Sequence, residues 1–439
     1  METSLGRFGD SRLEDRGRFV LRRLIEAGQD GIRVRPLGGN RAGEVGIGRF
    51  LHNPRVTPDE IISTACARTA GLVRGQHVLA IQDTTGLRDD GDQHSLQLHA
   101  MIAVNAVDGA MLGLTHAEFL YRFGGKKTKR KKRRFADKES RRWLDATRSA
   151  SALAEGGAAC VTMLADREGD IYEEFACKPA DVELLIRAAQ DRVLADGTSL
   201  FNSVDGLPEL GRETIQLPAA PGRPARKAVL SLHARRVTIN RPRRDVRGEA
   251  AKLAPSVTLS FVEARELDPP AGATPAHWRL LTTHIVTTLA DAKQITRFYR
   301  ARWIIEQLFR TMKTKGFNIE AVRVAEGGPF ENLTAATLVA AIQVLQLVAE
   351  RDGTVGRPLD DVFDAPDQLA LEAIGATLEG RTEKQKNPHP KGTLAYAAWV
   401  CARLGGWTGY YGKPGPVVTL QGLMKFKSMH RGFDIGRLL

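Results

Sequence analysis

The chain has 439 residues, enough for two to four domains, and its net charge of +13 and pI near 9.7 call for a polyanionic partner. No apolar run reaches the roughly 18–20 uncharged residues of a membrane-spanning helix, and the opening METSLGRFGDSR holds no apolar signal core, so a soluble, cytoplasmic protein is expected. Cys66, Cys160, Cys177 and Cys401 lack CxxC or CxxC-plus-His spacing, which argues against a disulfide framework and a structural zinc site and leaves four buried, reduced thiols.

In chain order, the first expected element is a helix over residues 11–28, with Leu13, Phe19, Val20, Leu24 and Ile25 inward, opening after Asp10 and closing at Gly28. The Gly- and Arg-rich stretch that follows, including GGNRAGEVGIGRFLHNPR, reads as loop or short helix and matches neither GxGxxG before a helix nor a P-loop. A second helix starts after Pro58. Residues 1–70 therefore read as a small basic helical module. The pattern then turns to strands. HVLAIQD (77–83) ends at Asp83 and a turn at Thr84-Thr85-Gly86, and LQLHAMIAVNAVDGAMLGLTHAEF reads as a hairpin about Asp108-Gly109. His99 and His116 lie in apolar strand contexts and read as satisfied core or hairpin residues. The basic block KKTKRKKRR (126–134) would alone be a solvated loop; inside a catalytic domain it reads as a phosphate contact. A helix follows in DKESRRWLDATRSASALAE.

A further strand, AACVTMLAD (158–166), again ends at an acid, Asp166, followed by the helical REGDIYEEFAC. Here Asp170 competes with Asp166 but falls inside the helix. VELLIRAAQ (182–190) is another strand. Residues 191–280 alternate apolar and polar residues among Pro and Arg, as an all-β insertion would. The helical pattern resumes near Asp291, and FYRARWIIEQLFRTMKTKG (298–316) reads as one helix. Tyr299, Arg302, Glu306 and Lys313 fall within an arc of about 60°, with Ile304, Ile305, Leu308 and Met312 opposite. The apolar run Leu333–Ala349, broken by Gln343 and Gln346, reads as a buried helix. Residues 351–439 form a C-terminal helical region.

Asp83 and Asp166 at strand ends, with Glu306 on a covering helix, make an oxygen-only, high-charge set suited to Mg²⁺ or Mn²⁺. Two such ions can activate an attacking oxygen and stabilise the leaving oxygen of a phosphoryl transfer, and a basic protein makes nucleic-acid phosphodiesters the natural substrate. Each residue alone has a blander reading. Either Asp could be a turn or helix cap, Glu306 an ion-pair partner of Arg302 or Arg310, and Tyr299 and Trp303 core residues. Their combination favours phosphate clamping by Arg302 and Lys313 and base stacking by Tyr299 and Trp303.

The spacing of Tyr299, Arg302, Glu306 and Lys313 resembles the signature of bacterial cut-and-paste transposases of the insertion-sequence IS-four family, particularly the Tn-five-like branch. IQDTTGL around Asp83 and DREGDIYEE around Asp166 look like that family's two aspartate motifs. RFLHNPRVTPDEII and FGDSRLEDR are similar to its N-terminal DNA-binding domain, and GKPGPVVTLQGLMKF to its C-terminal dimerisation region. The resemblance implies an α/β, ribonuclease H-like catalytic domain over 71–350 with a β insertion at 191–280, flanked by a DNA-binding domain (1–70) and a dimerisation region (351–439). It implies that Asp83, Asp166 and Glu306 form the DDE triad and hold two divalent ions, and that the protein acts as a homodimer on double-stranded transposon ends and target DNA, at the bacterial nucleoid. Tyr299, Arg302 and Lys313 would hold the terminal phosphate of the nontransferred strand, Trp278 would stack on a base flipped out for hairpin formation, and Trp303 would support that pocket. Two other readings stand beside it: a domesticated, catalytically silent DNA-binding protein, and a metal-dependent nuclease without strand transfer.

Overall fold

The computed structural model of the chain describes residues 4–27, 32–89, 94–123, 141–217, 225–242, 252–313, 316–324, 327–354, 356–410 and 412–438. The basic block 126–134 lies outside them. Helix α1 (Ser11–Ala27) opens where expected, with Asp10 Oδ1 accepting from Arg12 N at 2.9 Å. It buries Leu13, Val20, Leu24 and Ile25, while Phe19 is only half-buried. The glycine-rich stretch is more helical than its composition indicates, forming α2 (Val34–Gly38) and the 11-residue α3 (Arg41–Leu51), which Asn40 caps by accepting from Gly43 N at 2.9 Å. Glycine permits their crossing: a Cβ on Gly38 would lie 2.2 Å from Glu44 N, and one on Gly43 2.1 Å from Gly38 O. Helix α4 (Pro58–Ala70) follows, capped by Thr57 with Pro in the first turn.

Strand β1 (His77–Asp89) runs straight through the expected turn at 84–86, because Leu87 is buried and Thr84 Oγ1 lies 2.9 Å from His99 Nδ1. His99 is thereby a satisfied buried residue. Strands β2 (His94–Asn105) and β3 (Met111–Phe123) form the expected antiparallel hairpin, whose turn is held by Asn105 Oδ1 accepting from Val107 N at 2.7 Å and by Gly109 at φ +78°. Then come α5 (Arg141–Ser149), α6 (Ser151–Glu155), β4 (Cys160–Ala165), α7 (Tyr172–Ala176) and β5 (Glu183–Arg187). They are followed by β6 (Gly211–Leu217), β7 (Arg226–Asn240), β8 (Ser256–Leu267) and β9 (His277–Thr282). The remaining elements are helices: α8 (Leu289–Ala301), α9 (Trp303–Met312), α10 (Gly328–Glu350), α11 (Ala365–Leu378), α12 (Leu394–Leu404) and α13 (Pro416–Leu438). The architecture is mixed α/β.

The chain divides into two compact units, one of Met1–Leu72, Thr84–Gly124 and Ile304–Leu439, the other of Val73–Asp83 and Gly125–Trp303. The first is built around α10, which packs on α1, α4, β3, α12 and α13. Contrary to the reading that no run is long and apolar enough to cross a bilayer, this helix is, with mean hydropathy 1.6, yet 89% of that window is buried, so it serves as a core helix. Asn332 on α10 ties it to the α3–α4 connection, donating from Nδ2 to the carbonyls of Leu51 and Val56 at 3.0 and 2.9 Å.

In the second unit the hydrogen-bonded strand order is β1-β4-β5-β9-β8-β7-β6. β1, β4 and β5 are parallel, β9 is antiparallel to β5, and the later strands are antiparallel to one another. The strands of 191–280 thus extend the sheet from the edge of β5, meeting a row of backbone groups that would otherwise be unpaired. Of the four cysteines, all free, only Cys401 is fully buried; Cys66, Cys160 and Cys177 are half-buried. Burial pushes the Cys66 and Cys401 thiols up to about 12, so both are inert at neutral pH.

One buried acid makes this unit's stability depend on pH. Glu174 on α7 is fully buried against Thr147, and burial, only partly offset by hydrogen bonds from Thr147 and Gln82, pushes its carboxyl up to about 7. A raised folded-state value means that the cost of ionising Glu174 is absent below the unfolded value of 4.5 and grows as pH rises towards about 7. Glu174→Gln is therefore expected to gain about 1–3 kcal/mol relative to wild type on moving from pH 5 to pH 8. Urea denaturation at both pH values measures this; an equal difference at the two would contradict it.

Candidate active site

Strands β1 and β4 are buried on both faces, so their apolar runs continue to the point where a polar side chain can reach solvent. Their register pairs Ile81 with Leu164. Carried two residues further, past its last pair, that register would set Asp83, within β1, level with Asp166, which follows the end of β4. Both aspartates are half-buried. Asp166 also caps the short 3₁₀ turn Arg167–Gly169, accepting from Glu168 N at 2.8 Å. The blander reading, a cap, therefore holds for that residue, and the cap uses only Oδ1. Asp170 lies outside any helix, contrary to the sequence reading. It is buried, and its Oδ2 accepts from Ala189 N, Gln190 N and Arg192 Nη1 at 2.7, 3.0 and 2.8 Å, which commits it to fixing the end of β5.

The single helix expected over 298–316 is two, α8 and α9, meeting at Arg302. There Arg302 N bonds Tyr299 O at 3.1 Å, a tightened, 3₁₀-type turn. Tyr299 is buried at 6% exposure, and Lys313 falls just beyond α9, where it pairs with Glu320 at 2.9 Å. Glu306 is half-buried on α9, whose Ile305, Leu308 and Met312 are buried while Ile304 is half-buried. Glu306 and Lys313 belong to the first unit; Asp83, Asp166, Trp278, Tyr299, Arg302 and Trp303 belong to the second.

Within the second unit Arg302 Nη1 meets Asp83 Oδ2 at 3.0 Å, and both side chains are largely shielded, at 14% and 19% exposure. Tyr299 stands 6.1 Å edge-on from Trp278. Burial pushes the Tyr299 phenol up, opposed by the charges of Arg187 and Arg302 and assisted by that of Asp166. The phenol is thus neutral, a hydrogen-bond donor in a basic setting. Trp278, Tyr299, Trp303, Phe201 and Arg279 wall a cavity of about 970 Å³, and Arg167, Arg187, Arg300 and Arg302 add four further guanidinium groups to its lining. Such a combination of aromatic faces and cations suits one unpaired nucleotide with its phosphates.

Sequence reading missed Arg187, Phe201 and Arg279. Arg187 ends buried strand β5 just as Asp166 follows β4, so the same strand-end rule could have found it; Phe201, in an irregular segment, carries no such signal.

Carboxylate oxygens such as those of Asp83, within β1, and Asp166, just past β4, are the right donors for a hard divalent cation. Such an ion would compete with the Arg302 guanidinium for Asp83 Oδ2. Among the described residues no three His, Cys, Asp or Glu side chains are grouped to hold a metal ion. Residues 73–341, more than half of the chain, match the family model of the transposase DDE domain.

Proposed function

Since the chain belongs to the transposase DDE domain family, we propose that it is a cut-and-paste DNA transposase of the insertion-sequence IS-four type, in the Tn-five-like branch, with a ribonuclease H-like catalytic domain. The observation that carries this reading is the parallel register of β1 and β4, which runs towards Asp83 and Asp166, together with a cavity lined by guanidinium groups and indoles that includes their neighbours Arg302 and Arg167. In the reading, Asp83, Asp166 and Glu306 are the acids that would hold Mg²⁺ or Mn²⁺, which when bound would supply charge stabilisation for phosphoryl transfer. Arg302, Arg167 and Lys313 neutralise the phosphates of the DNA end, and Arg302 exchanges Asp83 for a phosphate oxygen as DNA arrives. Trp278 offers its indole to a base displaced from the stack, and neutral Tyr299 donates to a phosphate oxygen. The protein acts as a dimer on paired ends, with residues 1–70 binding the end repeats and 351–439 joining the subunits, in the bacterial cytoplasm.

The DNA that flanks the gene on both sides, incubated with the protein and Mg²⁺, is expected to yield hairpin-ended element and insertions into a target plasmid. Broken ends without hairpins or insertions would leave a nuclease, and tight binding without any cut strand would leave a silent DNA-binding protein.

Charge gives a second expectation. Because phosphate contacts release condensed counterions, log K for DNA should fall steeply with log salt, and deleting 126–134 should flatten the slope by several contacts. An unchanged slope would remove that block from the interface.

A further inference from the structure

Beneath the cavity lies a buried carboxylate that none of the preceding chemistry uses. Glu263 on β8 is 2% exposed, and the β8–β9 register sets it opposite Arg279, with Ala264 opposite Trp278 and Arg265 opposite His277. Its Oε1 accepts from His277 Nε2 at 2.8 Å and from Arg279 Nε at 3.2 Å, and its Oε2 from Arg265 Nη2 at 3.1 Å. A carboxylate taken out of water is costly unless several donors meet it. Burial alone would raise this carboxyl, yet the hydrogen bonds from His277 and Arg279 with the charge of Arg265 hold it below the usual range. Glu263 is therefore a fixed negative charge under β9, gripping residues on both sides of Trp278.

What it fixes is a shelf. The Arg279 guanidinium lies 4.1 Å from the centroid of the Phe201 ring, and both residues line the cavity beside Trp278. With Nε held by Glu263, the planar guanidinium loses its freedom to swing off the ring, and among the described residues its other two nitrogens make no hydrogen bond. A stacked Arg–Phe pair presents a flat, cationic surface on which a nucleobase can lie. We propose that Glu263 is a positioning residue that locks Arg279 across Phe201, forming a seat for one unpaired nucleobase in the cavity that Trp278 also lines. This rests on the reading of the cavity as a nucleotide site.

The test uses the full-length protein and two single-stranded oligodeoxynucleotides, one with a central 2-aminopurine and one with an abasic site at that position. Wild type should quench 2-aminopurine fluorescence on binding. Glu263→Gln should weaken that binding about tenfold and reduce the quench, while its affinity for the abasic strand stays within about twofold of wild type, since only base stacking is disturbed. Arg279→Lys, which keeps the charge but not the plane, should do the same and serves if Glu263→Gln fails to fold. Wild-type binding and quench in both variants, with loss of quench in Trp278→Ala, would overturn the role of Glu263 and leave the nucleotide site standing. Unchanged quench in Trp278→Ala as well would overturn both, and equal weakening for the abasic strand would show a general charge effect and overturn the positioning role.

Discussion

Asp166→Asn is expected to lower the rate of Mg²⁺-dependent strand cleavage by roughly a thousandfold or more, about 4 kcal/mol of barrier, with little loss of stability. This substitution separates chemistry from folding because an asparagine Oδ1 still accepts from Glu168 N and keeps the 3₁₀ turn capped. What is lost is one negative charge just past the end of β4. Asp83→Asn and Glu306→Gln should match it in activity. Asp83→Asn also weakens the ion pair with Arg302, so its melting temperature is expected to move further than that of Asp166→Asn. Single-turnover cleavage of the gene-flanking DNA, with thermal denaturation of each variant, measures both. Cleavage within about tenfold of wild type in Asp166→Asn would remove that residue from the chemistry.

Arg302→Ala carries the second large effect, and it should act in two directions. Losing a guanidinium from the phosphate site is expected to slow cleavage by about ten- to a hundredfold, roughly 1.4–2.7 kcal/mol. Removing a cation 3.0 Å from Asp83 should at the same time strengthen divalent-ion binding to the DNA-free protein. A fall in the Mn²⁺ dissociation constant of about three- to tenfold is expected, limited by solvent screening near the surface. Calorimetric titration with Mn²⁺ alone reads this without any DNA. Equal Mn²⁺ affinity in wild type and Arg302→Ala would mean that the arginine does not compete for the seat. Arg302→Lys should recover part of the cleavage, since a point charge meets the phosphate but lacks the guanidinium fork.

How much of this was legible in the sequence depended on whether local pattern or distant contact decided each feature. Asp83 and Asp166 stood out because buried strands read as apolar runs and each run stops at an acid. The hairpin about Asp108-Gly109 and the helices opening after Asp10 and Pro58 follow from turn and cap chemistry within a few residues. Thr84-Thr85-Gly86 has turn composition, yet the strand runs through it because Leu87 is buried and Thr84 meets His99, 15 positions along the chain. α3 keeps its helix despite Gly43, Gly46 and Gly48, since Gly38 and Gly43 allow a close crossing that offsets their weak propensity. The break at Arg302 was invisible because its backbone angles, φ −51° and ψ −30°, stay helical, and only the shift to a Tyr299 partner marks it. The cavity lay furthest from view: Arg187, Phe201 and Arg279 come from separate segments that meet only after β9 has paired with β5.

The central proposal, that Asp83, Asp166 and Glu306 would hold a divalent ion for phosphoryl transfer, is tested most directly by iron-directed self-cleavage. With Fe²⁺ and ascorbate in place of Mg²⁺, hydroxyl radicals formed at the bound ion cut the nearby backbone. Fragments ending close to residues 83, 166 and 306, suppressed by excess Mg²⁺ and absent in Asp83→Asn, are the expected result. Cuts confined elsewhere, or a pattern unchanged by Asp83→Asn, would contradict it.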